Sequence, residues 1–278
     1  MVEESGYLSA KDGRRIFWQG WRPADNVKAL VIIAHGLGEH IARYAHLAGF
    51  LNQKGYAVFG CDHRGHGKTE GKRGHVLSFN EYIEDFKVFR DSLVSRFPGK
   101  CSILLGHSMG GLIAVHYTLT YPTDFDGLVL SSAGLKVQVK ANPVKLALGR
   151  FFSKVLPGIT MGNELDPHMI SHDREEVRKY IDDPLVHDRV SARWFTSFMA
   201  AIDQAQARAG EIKIPILVMQ SSEDKLVDPD GAKEFFPKVA SADKTLKYWE
   251  GFYHEMFNEV EKQKPYQFLL DWIEKHCA

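Results

Sequence analysis

Cys101-Ser102-Ile103-Leu104-Leu105, then Gly106-His107-Ser108-Met109-Gly110, then Gly111-Leu112-Ile113-Ala114-Val115-His116-Tyr117 read as a buried strand, a sharp turn and a helix. Glycine on both sides of Ser108 removes the Cβ atoms that would collide at such a turn, so the serine side chain projects out of the fold. The new helix also aims its free N–H groups and positive dipole end at the same spot, which favours an anion forming beside Ser108. This context, more than the bare Gly-x-Ser-x-Gly pattern, marks Ser108 as a nucleophile.

A serine hydroxyl needs a base to take its proton, and the base needs a third group to orient it. Around a turn of this kind the chain order is serine, then an acid, then histidine, each after a later strand. Ile216-Leu217-Val218-Met219-Gln220 is a short apolar strand, and Ser221-Ser222-Glu223-Asp224 leaves its end, which makes Asp224 the orienting acid. Asp228 competes, but it precedes Pro229 and a helix start, where capping accounts for it. Glu223 would face the other way. Thr245-Leu246-Lys247-Tyr248-Trp249 is the next strand, and His254 stands in the loop after it as the base. His276, near the C-terminus, is where fraying is expected.

A tetrahedral intermediate also needs donors for its oxyanion. The N–H of Met109, directly after the nucleophile, is one. Leu30-Val31-Ile32-Ile33-Ala34 followed by His35-Gly36-Leu37-Gly38 supplies the other at the Leu37 N–H. Read alone, that loop is also a plain strand-to-helix connection.

The remaining chain bounds the fold. With 278 residues, 44% of them hydrophobic, it can bury roughly 75% of its unfolded surface. Strand-length apolar runs at 15–21, 30–34, 57–61, 102–105, 127–131, 216–220 and 245–249 alternate with helical patterns at 42–54, 80–97, 110–121, 231–236 and 261–276. That alternation predicts an α/β fold, a mostly parallel central sheet flanked by helices. No run is long enough to span a bilayer, and no charged-then-apolar leader opens the sequence. The three cysteines are an odd number without metal-ligand spacing, which points to a reducing, cytoplasmic setting. Basic and acidic residues balance at 35 each, so nothing suggests nucleic acid as a partner.

Between 137 and 209 the rhythm breaks and no strand is expected, so the chain divides into a core at 1–136, a helical cap insertion at 137–209 and a second core part at 210–278. Val144, Leu148, Phe151, Phe152 and Val155 share one helical face there, and Trp194, Phe195, Phe198, Met199 and Ile202 another. Most of these are expected to pack on the body and on each other. The insertion leaves the sheet at the carboxyl ends of its strands, so some must roof the serine and imply an apolar substrate. Such a surface would also suit brief, peripheral contact with a membrane. His63 and His66 beside Asp62 invite a metal reading, but the intervening glycines mark a structural loop, and a serine mechanism calls for no metal or cofactor.

The motifs resemble a known family. His35-Gly36-Leu37-Gly38-Glu39-His40 with Arg43-Tyr44, Asp62-His63-Arg64-Gly65-His66-Gly67, the serine turn, and Asp183-Pro184-Leu185 together resemble monoacylglycerol lipases and lysophospholipase-like serine hydrolases of the α/β-hydrolase superfamily. The resemblance covers nearly the whole chain. It implies the same Ser108, Asp224, His254 triad, the same Leu37 and Met109 donors, a cap over 137–209, and a lipid-like ester as substrate. It also places Glu39, Arg43 and Tyr180 near the alcohol end of the substrate. The chain departs from the animal enzymes at Phe257, where they carry a histidine. A lysophospholipase or broad carboxylesterase would use the same triad on another alcohol, and a non-catalytic ligand-binding protein on this fold would show a damaged one.

Overall fold

The computed structural model describes residues 1–138 and 143–277. Its centre is an eight-stranded sheet in the order β1-β2-β4-β3-β5-β6-β9-β10. β1 (Val2–Ser9) and β2 (Arg15–Arg22) form an antiparallel hairpin, and β2 runs antiparallel to β4 (Ala57–Cys61). From β4 onward β3 (Leu30–Ala34), β5 (Ser102–His107), β6 (Gly127–Ser131), β9 (Ile216–Ser221) and β10 (Lys244–Trp249) are all parallel. The loops leaving β3, β5, β9 and β10 therefore emerge at one carboxyl rim, which is what brings residues far apart in sequence to a common site.

Strand side chains alternate between two cores, as the pleat requires. Leu30, Ile32, Leu104 and Leu128 face one core with α2 (Asn80–Val94) and α3 (Met109–Thr120). Val31, Ile33, Ile103, Leu105 and Val129 face the other, with α1 (Ala45–Gln53) and α8 (Gln263–His276). Because both faces are covered, these strands read as continuous apolar runs and not as alternating ones. β1 leaves no trace in the sequence because half its side chains are exposed on an edge strand, and Val2-Glu3-Glu4-Ser5-Gly6 lacks an apolar run.

Between β6 and β9 lie α4 (Pro143–Val155), β7 (Thr160–Gly162), α5 (Arg174–Asp182), β8 (Arg189–Ser191) and α6 (Ala192–Arg208). The expectation of no strand here is corrected by β7 and β8, a three-residue antiparallel pair too short to leave a period-2 signal. α6 packs as expected: Trp194, Phe198 and Ile202 are buried, and the His116 Nε2–H of α3 donates to the Ala201 carbonyl at 2.9 Å. α4 does not. Leu148, Phe151 and Val155 are about half exposed or more, at 50%, 57% and 56%, because α4 meets α6 through polar atoms such as Ser153 and Thr196. The Val144 side chain lies outside the described residues.

Cys101, just before β5, and Cys277, just past α8, form a disulfide with their Cα atoms 5.5 Å apart, leaving Cys61 as a buried thiol. The odd cysteine count thus conceals one pair and one buried thiol. Its members are 176 residues apart in sequence, and Trp272 of α8 lies against Gly127 of the strand beside β5. Among the described residues no helix is long and apolar enough to cross a membrane.

Candidate active site

Ser108 sits between β5 and α3 at φ 54°, ψ −122°, a left-handed conformation that a non-glycine residue adopts only when its surroundings enforce it. They do so here by crowding. A Cβ on Gly106 would lie 2.5 Å from the Gly110 carbonyl oxygen, and one on Gly110 only 2.0 Å from that of Ala34. The Ser108 N–H donates to the Ser131 carbonyl at 3.0 Å, and its own carbonyl accepts from Gly111, Leu112 and Gly134.

Asp224 leaves β9 and is buried. Its Oδ1 accepts from the Leu226 and Val227 N–H groups at 2.9 and 3.0 Å, which fixes the carboxylate and leaves Oδ2 to take the His254 Nδ1–H at 2.7 Å. Burial alone would raise the Asp224 pKa, but the His254 charge and these hydrogen bonds hold it below the ordinary carboxylate value. Burial alone would likewise lower His254, yet the Asp224 carboxylate outweighs it and the imidazole is raised above its usual value. His254 Nε2 has no hydrogen-bond partner in the described protein, which leaves it available on the cavity that His254 and Ser108 both line. The His107 ring, next in chain to Ser108, packs 4.7 Å from the His254 ring. Burial, reinforced by the nearby His254 charge, pushes His107 down to about 4, so it stays neutral. The competing acids lie elsewhere: Glu223 is exposed, and Asp228 accepts from the Asp230 N–H at 3.0 Å while facing Lys136.

Leu37 and Met109 line the same cavity, and neither backbone N–H has an acceptor among the described residues. The loop that carries Leu37 lies against the serine, since a Cβ on Gly36 would come 3.3 Å from Ser108 Cβ. Two unspent donors beside a strained serine, at the start of a helix, form a site for a developing oxyanion.

The cavity holds about 450 Å³. Met109, Ile170, Val186, Trp194, Phe195 and Phe198 give it apolar walls, several of them from the segment between β6 and β9. Of the residues expected near the alcohol end, Glu39 and Tyr180 line it and Arg43 does not. Arg43 is buried behind, its guanidinium bonded to Glu39 and to Glu255 at 2.7 Å and lying 4.7 Å from the Tyr180 ring centroid. Burial would push Glu255 up, but the Arg43 charge holds it down to about 2. Phe257 is buried in the second core against Tyr266, away from the cavity lining. Asp62 spends its oxygens on the Ile41 and Lys68 N–H groups, and His63 bonds the backbone and ring of His35. Among the described residues no cluster of histidine, cysteine and acidic side chains has a metal-holding arrangement.

Glu255 and His187 carry little sequence signal. The His187 N–H donates to the Gly38 carbonyl at 2.9 Å, tying the segment between β6 and β9 to the Leu37 loop, and Asp183 accepts from His40 Nε2–H at 2.8 Å.

A family model described as serine aminopeptidase, S33 (Hydrolase_4) matches residues 25–261. The chain belongs to this family. Its sheet order, serine turn and flanking helices are those of the α/β-hydrolase fold. The chain is 35% identical over 265 residues to a monoacylglycerol lipase of Mycolicibacterium smegmatis, covering 95% of this chain and 94% of that one. It is 33% identical over 249 residues to phospholipase YtpA of Bacillus subtilis, covering 89% and 95%. Among solved structures, the monoacylglycerol lipase of Paleococcus ferrophilus is similar with a TM-score of 0.84 and 34% identity, covering 94% of this chain and 99% of that one. The hydrolase and these relatives match over nearly their whole lengths.

Proposed function

We propose that the protein is a serine hydrolase that cleaves carboxylic esters of lipid-like substrates, monoacylglycerols above all, through an acyl-enzyme. The observation that carries this reading is the buried 2.7 Å Asp224–His254 hydrogen bond beside Ser108, in a cavity with apolar walls. Ser108 Oγ attacks the ester carbonyl while His254 Nε2 takes its proton, Asp224 steadies the imidazolium, and the Leu37 and Met109 N–H groups hold the oxyanion. The alcohol leaves with the proton from His254. Water, activated by the same imidazole, then attacks the acyl-enzyme and frees the fatty acid and Ser108.

The head group follows from charge. Glu39, Glu255, Asp166 and Asp188 line the cavity and, among the described residues, no lysine or arginine does, so an uncharged alcohol is favoured over the phosphodiester of a lysophospholipid. Glu39 and Glu255 are already engaged by Arg43, so they are poor partners for the free ammonium of a peptide N-terminus. Tyr180 lines the cavity, and its hydroxyl, with no hydrogen-bond partner among the described residues, suits a glycerol hydroxyl. The inserted segment acts in this reading as a cap. The exposed Leu148, Phe151, Val155 and Leu156, with Arg150 and Lys154 among them, would rest on an anionic lipid surface that delivers substrate.

The test compares wild type and Ser108→Ala for fluorophosphonate labelling and for hydrolysis of monoacylglycerols, lysophospholipids, nitrophenyl esters and an aminoacyl nitroanilide. Monoacylglycerol hydrolysis should lead, and Ser108→Ala should stay folded while losing labelling and about a millionfold in turnover. Equal labelling of the mutant rejects the nucleophile, and a lead for lysophospholipid rejects the head-group reading.

A further inference from the structure

The two halves of the proposed catalytic apparatus come from distant places. Leu37 follows β3 and His254 follows β10, with β5, β6 and β9 between them in the sheet. One chain of buried charged groups nevertheless joins them. Glu39 Oε1 accepts the Gly36 N–H at 2.6 Å and the Tyr44 hydroxyl at 2.8 Å, while its Oε2 accepts Arg43 Nη1–H at 2.7 Å. Arg43 then grips both oxygens of Glu255 through Nη1 and Nη2, at 2.7 Å each. Glu255 is the residue after His254, and its N–H and side chain are held by the Ile170 carbonyl and Asn258 Nδ2 at 2.8 and 2.6 Å. The side chains of Glu39, Arg43 and Glu255 are at most 9% exposed.

This arrangement is a poor way to gain stability alone, because taking three charges out of water costs about as much as their attraction returns. It is a good way to fix geometry. The planar fork of arginine has one orientation for a given carboxylate, so the Glu255 backbone and the Glu39 carboxylate are set relative to each other. The Leu37 loop is then pinned at both ends, by Glu39 on the Gly36 N–H and by the His187 N–H on the Gly38 carbonyl. The Leu37 donor lies between the two pins.

We infer that the Glu39–Arg43–Glu255 bridge is a positioning device that holds the Leu37 oxyanion donor and the His254 base in register on the same carbonyl. Breaking it slows the chemical step and leaves substrate binding nearly intact. The inference rests on the proposed roles of Ser108, His254 and Leu37, and it assigns Arg43 and Glu255 to positioning and not to contact with the alcohol.

The experiment uses the full chain with Arg43→Lys, Glu255→Gln and the double variant, assayed on a soluble nitrophenyl ester and its thionoester. Lysine keeps the charge but cannot span both carboxylates with a fork, and glutamine keeps the shape but loses the ion pair. Each single variant should lose about 100-fold in kcat, the scale of a misplaced donor or base, with KM changed by less than about threefold. The double variant should lose no more than the worse single one, since both cut one link. Sulfur is a weak acceptor, so a displaced Leu37 donor should also lower the preference for ester over thionoester. A merely structural ion pair would leave that preference unchanged. Glu39→Gln, which leaves Arg43 and Glu255 paired, serves if either single variant does not fold, and it should show the same fall in ester preference. Wild-type kcat and ester preference in the folded variants overturn the bridge. Ser108→Ala, run alongside, separates the failures: if it hydrolyses like wild type, the triad reading itself has failed.

Discussion

Lengthening the acyl chain of the substrate probes the cavity directly. A cavity of about 150 Å³ takes one benzene ring, so the 450 Å³ beside Ser108 takes about 18 non-hydrogen atoms. Glycerol and the carbonyl oxygen use about seven of these, which leaves room for about 11 acyl carbons at the same packing. Each methylene buried is worth at most about 0.8 kcal/mol, close to fourfold in kcat/KM. Ordering a flexible chain removes part of that gain, so about twofold per carbon is expected. From butanoyl to decanoyl glycerol the gain is then about 60-fold, with a plateau near 10–12 carbons where further methylenes leave the walls. Glycerol release from 1-monoacylglycerols of 4 to about 18 carbons, measured below the micellar concentration, reads this out. A flat series, a maximum at butanoyl, or an undiminished gain out to the longest chains would refute the assignment of this cavity to the acyl group.

The acid limb of kcat/KM should have its midpoint above 6.5, because the base works only as neutral imidazole and Asp224 favours its protonated form; a pH-rate profile with a midpoint well below that value contradicts the pair. Asp224→Asn should keep the fold and lower kcat by about 10⁴-fold, because the amide offers His254 the wrong hydrogen-bonding partner; hydrolysis of a nitrophenyl ester and circular dichroism decide it. Cys101→Ser with Cys277→Ser should lower unfolding stability by about 5 kcal/mol, since the bond closes a loop of 176 residues; an unchanged urea midpoint, or three free thiols in the unreduced chain, counts against the disulfide. Phe151→Asp should cut partitioning to anionic vesicles by about 30-fold, the worth of one buried aromatic side chain, and leave hydrolysis of a soluble ester unchanged.

What sequence reading captures in this chain is what leaves a local trace. The parallel strands at 30–34, 57–61 and 127–131 fall on the observed bounds because strands buried on both faces are unbroken apolar runs ended by polar or glycine residues. Ser108 announces itself through Gly106 and Gly110, whose missing side chains are filled by the carbonyls and helix around them. Asp224 and His254 follow because each leaves a legible strand at the rim where the serine points. The edge strand β1 and the pair β7–β8 leave no such trace, since one is half exposed and the others are three residues long. The exposed face of α4 is equally invisible, because an amphipathic pattern says that a helix has an apolar side and not whether protein or something else covers it.

The same limit explains why sequence alone points Arg43 at the alcohol and leaves Glu255 without a mark. An arginine near a serine turn reads as a substrate contact, because no sequence pattern shows that two carboxylates, one 4 residues before it and the other 212 residues after, already occupy its guanidinium. Only the closed sheet reveals the pairing. Long-range buried charge is thus where the proposed triad is legible in the sequence and the groups that align it are not. The triad needs three side chains whose strands can be counted off in order, whereas their alignment depends on groups that meet only after β3 and β10 have taken their places at opposite sides of β5, β6 and β9. A substitution at Arg43 or Glu255 should therefore lower kcat more than KM, as a change at the triad would but by about 100-fold, though neither residue supplies a proton or a nucleophile to the ester.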